Sequence, residues 1–186
     1  MNAVRTLAAA LSLAVLSSPA FAADWSVDSA KSQLKFSGIQ AGAPFSGKFG
    51  KWDAEISFDP ANPAGGHVLV SIDAASAATG DAQKDEALPQ SDWFNAKSFP
   101  KAKFEAKSFK ALGGDRFEAA GSLTIKDVTK DVTLPFTLQV SGDQAHMTGH
   151  LEIQRTDYHV GEGAWAATTF VGGAVGIDID LTAKKK

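Results

Sequence analysis

The sequence predicts an all-β chain: an eight-stranded antiparallel barrel of up-and-down topology with a short helical insertion. Three observations predict it. Apolar and polar residues alternate with period two in run after run. The runs are separated by short turns such as Gly113-Gly114-Asp115 and Ser141-Gly142-Asp143. Only one connection is long and helical in character. An open sheet of this size would leave exposed edges, which closure removes.

The elements follow in order. Leu34 and Phe36 begin the first inward row. From Phe45 to Phe58 the apolar positions are odd through Gly47 and Phe49, then even through Trp52, Ala54 and Ile56. The register therefore slips by one near Gly50-Lys51, where a β-bulge on a permissive glycine would bend the strand as a closing barrel requires. Val68, Val70 and Ile72 form the next row. Residues 79–90, TGDAQKDEALPQ, predict the helix, capped by Thr79 or Asp81 and ended at Leu88-Pro89, with a second short helical turn over Ser91-Asp92-Trp93-Phe94. Ala102, Phe104 and Ala106 then face Phe117, Ala119, Gly121, Leu123 and Ile125 across a turn. Val132, Leu134, Phe136, Leu138 and Val140 pair with Ala145, Met147, Gly149, Leu151 and Ile153, and Val175, Ile177, Ile179 and Leu181 end the chain. Pro135, within a strand, marks a bulge or a weakly paired edge. The architecture is that of a lipocalin-like barrel.

At the N-terminus Arg5 precedes LAAALSLAVL and the small-residue site Ala20-Phe21-Ala22, the pattern of a cleavable export signal. Residues 1–22 are thus read as a signal peptide and 23–186 as one periplasmic domain. The apolar stretch is about half the roughly 20 residues a membrane-spanning helix needs, so an integral membrane protein is not expected. There is no cysteine, so the fold holds itself together by its core. Without Arg5 the chain carries 17 basic against 21 acidic groups, a net charge of −4. A nucleic-acid binder would carry a basic excess. The segment SDWFNAKSFPKAKF, residues 91–104, with its interleaved rings and lysines, is therefore read as a lid with rings inward and lysines outward. Lys184-Lys185-Lys186 reads as a solvated tail.

An eight-stranded barrel is just wide enough to be filled by its side chains or to hold one small ligand. Gly47, Gly121, Gly149, Ala54, Ala102, Ala106, Ala119 and Ala145 lie on otherwise bulky inward rows; they would either leave a tunnel or permit tight curvature, and the sequence leaves both readings open. If there is a tunnel, Phe36, Phe45, Phe49, Phe104, Leu123, Phe136, Met147 and Leu151 line it, with Trp93, Phe94, Trp165 and Phe170 around it and its rim. Arg155, Asp157 and Tyr158 read as a structural Arg-Asp pair rather than as a head-group site. Catalysis has little to stand on: no GxSxG, HExxH or phosphate-loop motif occurs. His146 and His150 share a strand face but lie about 13 Å apart, too far for one metal ion; His67 and His159 are isolated. No catalytic residue, metal or required cofactor is expected. A polar, transient protein contact and either a monomer or a dimer fit the outward faces, which carry no large apolar patch.

Five segments in order carry a resemblance: SQLKFSGIQAGAPFSGKF, ALPQSDWFNAKSFPKAKFEAKSF, GSLTIKDVTKDVTLPF, IQRTDYHVGEGAW and VGGAVGIDIDLTA. Over essentially all of residues 23–186 the chain resembles the YceI-like family of periplasmic polyisoprenoid-binding proteins. The resemblance implies a barrel that holds a long apolar chain, such as an isoprenoid quinone or another amphiphile. Gly42-Ala43-Pro44-Phe45 stands where many members have a histidine, as in a subgroup found beside cytochrome b561-type membrane proteins, which implies a membrane cytochrome as a transient partner. Leu88-Pro89-Gln90-Ser91 lacks the arginine that many members carry there.

Overall fold

The computed structural model describes residues 23–186; the expected signal peptide, residues 1–22, lies outside the described residues. Eleven strands form one antiparallel sheet: β1 (Asp24–Val27), β2 (Gln33–Gln40), β3 (Ala43–Phe49), β4 (Trp52–Ser57), β5 (His67–Asp73), β6 (Ala77–Ala78), β7 (Lys101–Gly113), β8 (Arg116–Ile125), β9 (Val128–Ser141), β10 (Gln144–Gln154) and β11 (Ala174–Lys185). They make eight staves, because three staves are interrupted. The ring runs β1-β4-β5-β7-β8-β9-β10-β11 and closes where β11 pairs with β1. Towards the other end β2 replaces β1 beside β11, followed by β3 and β6.

Two of the interruptions are held by hydrogen bonds to segments distant in the chain. Between β1 and β2 the buried Ser32 accepts from the Thr182 amide (3.0 Å) and donates to Asp28 O (2.8 Å), stitching the loop to β11. Between β3 and β4 the expected bulge is instead a full break. Gly50 N donates to Ser76 O (3.0 Å) and Lys51 N to Ser76 Oγ (3.0 Å), so the bend is tied to the segment after β5. Gly50 does not take a left-handed conformation there, so the bend rests on these bonds rather than on glycine's freedom.

The one α-helix among the described residues, α1 (Ala82–Ala87), is capped by Asp81, which accepts from Gln83 N and Lys84 N. Thr79 serves differently: its amide and hydroxyl both donate to Asp85. Residues 91–94 form turns rather than a second piece of helix. Pro135 sits where β9–β10 pairing ends at Phe136–Gly149. Beyond it, the start of β9 pairs only with β8 and the end of β10 only with β11, which is the weakly paired edge a mid-strand proline implies.

The two barrel ends differ. At the end holding the turns 113–116 and 141–144, Phe58, Phe109, Phe117 and Phe136 pack ring to ring at 5.0–6.4 Å. Trp25 closes the floor beside them and donates from Nε1 to Phe58 O at 2.9 Å. At the opposite end the wall is incomplete after β6 and between β9 and β10. Two connections, residues 79–100 and 155–173, cover it.

Candidate ligand cavity

Inside the barrel lies a cavity of about 230 Å³ that extends from the aromatic floor to the covered end. Its walls are hydrocarbon almost throughout. Many inward residues of the rows, among them Phe104, Met147, Leu151, Ile177 and Ile179, are only partly buried although they point away from solvent. The surface they leave uncovered is cavity wall.

The small inward residues divide between the two roles left open by the sequence. Ala102, Ala119 and Ala145 line the cavity. Gly47 is instead the seat of the Phe36 ring: a Cβ there would collide with it. Gly121 faces the β7 backbone at Glu105 so closely that no side chain fits, beside the β7 register shift between Ala106 and Ser108. A Cβ at Gly149 would press on Leu134 Cδ1 and Pro135 O at 3.3 Å. Gly47 and Gly121 serve ring packing and curvature; Ala102, Ala119 and Ala145 leave the space, whereas Ala106 is fully buried in the packed core and Ala54 does not line the cavity.

Ten of the twelve residues expected around the tunnel line the cavity: Phe36, Phe45, Phe49, Trp93, Phe94, Phe104, Leu123, Phe136, Met147 and Leu151. Trp165 and Phe170 do not. Trp165 packs tilted against Trp93 (5.7 Å between centroids, 46° between planes), and Phe170 lies beyond it at 6.3 Å and is 52 % exposed. Trp25, Leu88, Val160 and Val171, which the alternation does not mark, also line the cavity. Trp25 stands on a four-residue strand, too short for alternation to flag.

The cover is built by two connections that bind each other. Asp92 O accepts from Gly161 N (2.7 Å) and Glu162 N (2.8 Å). Within the first, Phe94 N bonds Leu88 O and Ala96 N bonds Pro89 O, both at 3.0 Å, fixing Trp93 and Phe94 over the opening. Phe94 meets Phe49 at 5.8 Å and Phe49 meets Phe36 at 5.3 Å, so the cover continues into the wall. Lys126 clamps the second connection to the β8–β9 turn through His159 O (2.7 Å) and Glu162 Oε2 (2.6 Å). That hydrogen bond holds the Glu162 carboxyl below its ordinary range.

Arg155 overturns the expected Arg-Asp pair. Asp157 pairs with Lys130 at 3.1 Å, whereas Arg155, 3 % exposed, turns inward and donates only to backbone. Nε bonds Gly172 O; Nη1 bonds Val160 O and Gly161 O; Nη2 bonds Trp165 O, Val171 O and, at 3.4 Å, Ala167 O. One side chain thus gathers the whole second connection. Burial pushes its pKa below the ordinary value, but carbonyl dipoles on every N–H keep the charge solvated in effect. Tyr158, 2 % exposed, lines the cavity beside it, its phenol pushed up by burial and by Asp157. It is therefore neutral at ordinary pH.

Each histidine meets one acid: His67 Glu105, His146 Asp180, His150 Asp178 and His159 Asp127. Among the described residues no group of three or more ligating side chains could hold a metal ion, and no helix is long and apolar enough to cross a membrane.

Residues 25–183 match the YceI-like domain family. The chain belongs to the YceI-like family. A YceI-like barrel from Burkholderia cenocepacia, BcnA, superposes with a TM-score of 0.83 at 36 % identity, covering 86 % of this chain and all of that one. Protein YceI of Escherichia coli O157:H7 is 38 % identical over 97 residues, 52 % of this chain. The chain spans about half the length of the curated relatives it matches. A polyisoprenoid binding domain from Saccharophagus degradans, implicated in plant cell wall breakdown, shares the fold with a TM-score of 0.73 at 18 % identity, over 88 % of this chain and 99 % of that one.

Proposed function

We propose that this YceI-like protein is a periplasmic binding and carrier protein that holds a polyisoprenoid, such as an isoprenoid quinone or a similar long-chain amphiphile, inside the barrel. The observation that carries the reading is the covered, hydrocarbon-walled cavity running to an aromatic floor. Each CH2-sized unit withdrawn from water contributes about 0.8 kcal/mol, so a few prenyl units supply strong binding with hardly a polar contact. The polyisoprenoid-binding domain of Saccharophagus degradans supports the ligand class by likeness of fold. Binding rather than catalysis suits a site whose lining charge, on Arg155, is spent on backbone. Transfer at the membrane, with a transient polar contact to a b561-type cytochrome, fits the polar outer faces of the strands.

The test is native mass spectrometry of the mature protein purified from a bacterial periplasm, followed by extraction of bound mass. A stoichiometric prenyl lipid or quinone supports the carrier. An empty protein that also refuses added quinone overturns it. Met147→Trp, which fills cavity from a position packed against the floor and lower barrel, should lose the bound mass while retaining the β-sheet circular dichroism of the wild type.

A further inference from the structure

Polarity on the outside of the barrel changes towards the covered end, on three neighbouring strands at once. The outward residues run Lys35, Ser37, Ile39 along β2, Lys48, Ser46, Pro44 along β3, and Asp178, Gly176, Ala174 along β11. Strand pairing sets them in rows: Asp178, Lys35 and Lys48, then Gly176, Ser37 and Ser46, then Ile39 and Pro44. The polar outer faces expected from the sequence therefore end at this rim. Residues 36–47 and 163–177 hold no charged side chain.

The two segments form one surface. Ala41 N donates to Phe170 O (2.7 Å) and Gly172 N to Ile39 O (2.8 Å), on either side of the Gln40–Val171 bridge. Ile39 is 47 % and Phe170 52 % exposed, and Ala41, Pro44 and Ala174 are exposed with them. The cavity reaches the same place: Gly38, Phe45, Val171 and Val175 line it, and each is the chain neighbour of one of these exposed apolar residues.

The turn from β2 to β3 also departs from the other tight hairpins. Asp115, Asp127 and Asp143 stand in the β7–β8, β8–β9 and β9–β10 turns. Here Ala41 and Gly42 both take left-handed conformations, with φ of +51° and +78°. Asn-Gly or Asp-Gly is the favoured pair in such a turn, and alanine is strained there. A strained apolar residue in place of a favoured polar one suits a turn that leaves water.

A lipid leaflet has the same order of polarity, from hydrocarbon through the interface to charged head groups. An apolar edge that sinks about 5–10 Å into it leaves the row of Lys35 and Lys48, about 13 Å away along the strands, facing the phosphates. Asp178, the acid in that row, is engaged by His150 at 2.7 Å, which leaves the two lysines to meet them.

We propose that the rim made by the β2–β3 turn and residues 163–174 is the surface on which the protein sits on a lipid bilayer, with the mouth of the barrel turned to the membrane so that ligand passes between leaflet and cavity without crossing water. The passage of ligand rests on the isoprenoid reading above; the contact itself rests on the rim.

Protein-free vesicles of phosphatidylcholine and phosphatidylglycerol should carry the mature protein up a density gradient. Ile39→Asp and Phe170→Asp should each weaken that binding about tenfold or more, the effect of withdrawing one large apolar side chain from the bilayer. Leu112→Asp, at an exposed site beside a floor-end turn, should leave it unchanged. All three variants should still bind a two-prenyl benzoquinone in free solution, which shows them folded. The chain has no cysteine, so a polarity-sensitive dye on Ala43→Cys should shift to the blue with vesicles and one on Leu112→Cys should not, a readout independent of the acidic variants. Wild-type protein that binds the quinone but does not float, equal losses in Leu112→Asp and Ile39→Asp, an unshifted dye at Ala43→Cys, or a dimer that Ile39→Asp makes monomeric overturns the docking surface and leaves the isoprenoid reading standing. Flotation of a protein that refuses the quinone overturns the isoprenoid reading and leaves the docking surface standing.

Discussion

Gly161 stands against the Arg155 guanidinium so closely that a methyl group on it would run into Nη1, and its φ of +81° lies in the left-handed region. Both facts require glycine there. Gly161→Ala should cost about 1–3 kcal/mol from strain and displacement combined, read as a lowered urea midpoint. Amide exchange should rise first in residues 155–173 and last around Phe58 and Phe136, because the second connection is what Arg155 gathers.

Replacing Arg155 itself should be worse. Arg155→Met leaves six carbonyls without their donor, and we expect a loss of about 3 kcal/mol or more. Arg155→Lys should recover only part of it, since an ammonium has three donors and no planar fork. Equal stability of the Lys variant and wild type in thermal unfolding would contradict this account.

The Phe36–Gly47 contact gives a third prediction. A Cβ at Gly47 would strike the Phe36 ring and press on Ala78 O, so Gly47→Ala should cost about 1–3 kcal/mol as an overpacked site. The ring's ready escape is inward, into the cavity it already lines. Ligand occupancy by native mass spectrometry should therefore fall along with stability.

Acid should loosen the first connection. Bonds from the Thr79 amide and hydroxyl hold the Asp85 carboxyl below its ordinary range. A depressed folded value contributes stability that is fully present above the ordinary Asp value, about pH 4, and is lost as pH falls through the folded value. Exchange at the Thr79 and Gly80 amides, after correction for intrinsic rates, should rise below about pH 4. In Asp85→Asn it should be raised already at neutral pH.

The eight staves were legible because period-two alternation states which face each residue takes; the Phe117 to Ile125 and Ala145 to Ile153 rows point inward as written. The breaks were not, because they are made by distant partners such as Thr182 for Ser32 and Ser76 for Gly50. Neighbourhood in sequence misled at Arg155, where Asp157 two positions on was the obvious partner and carbonyls up to 17 residues away are the real ones. A row of small residues shows that volume is missing. It does not show whether a ring such as Phe36 has already claimed it.

The sealed aromatic floor makes the barrel a bottle rather than a pipe, and this bears on chain length. A tail entering under the covered end must leave by the same door, last carbon in and first carbon stopped. Affinity should climb with each added prenyl unit until the tail meets Phe58, Phe109 and Phe136, and then level off while surplus units are held outside. The floor would act as a ruler, and a series of quinones differing in prenyl number alone would reveal its length as the break in the curve.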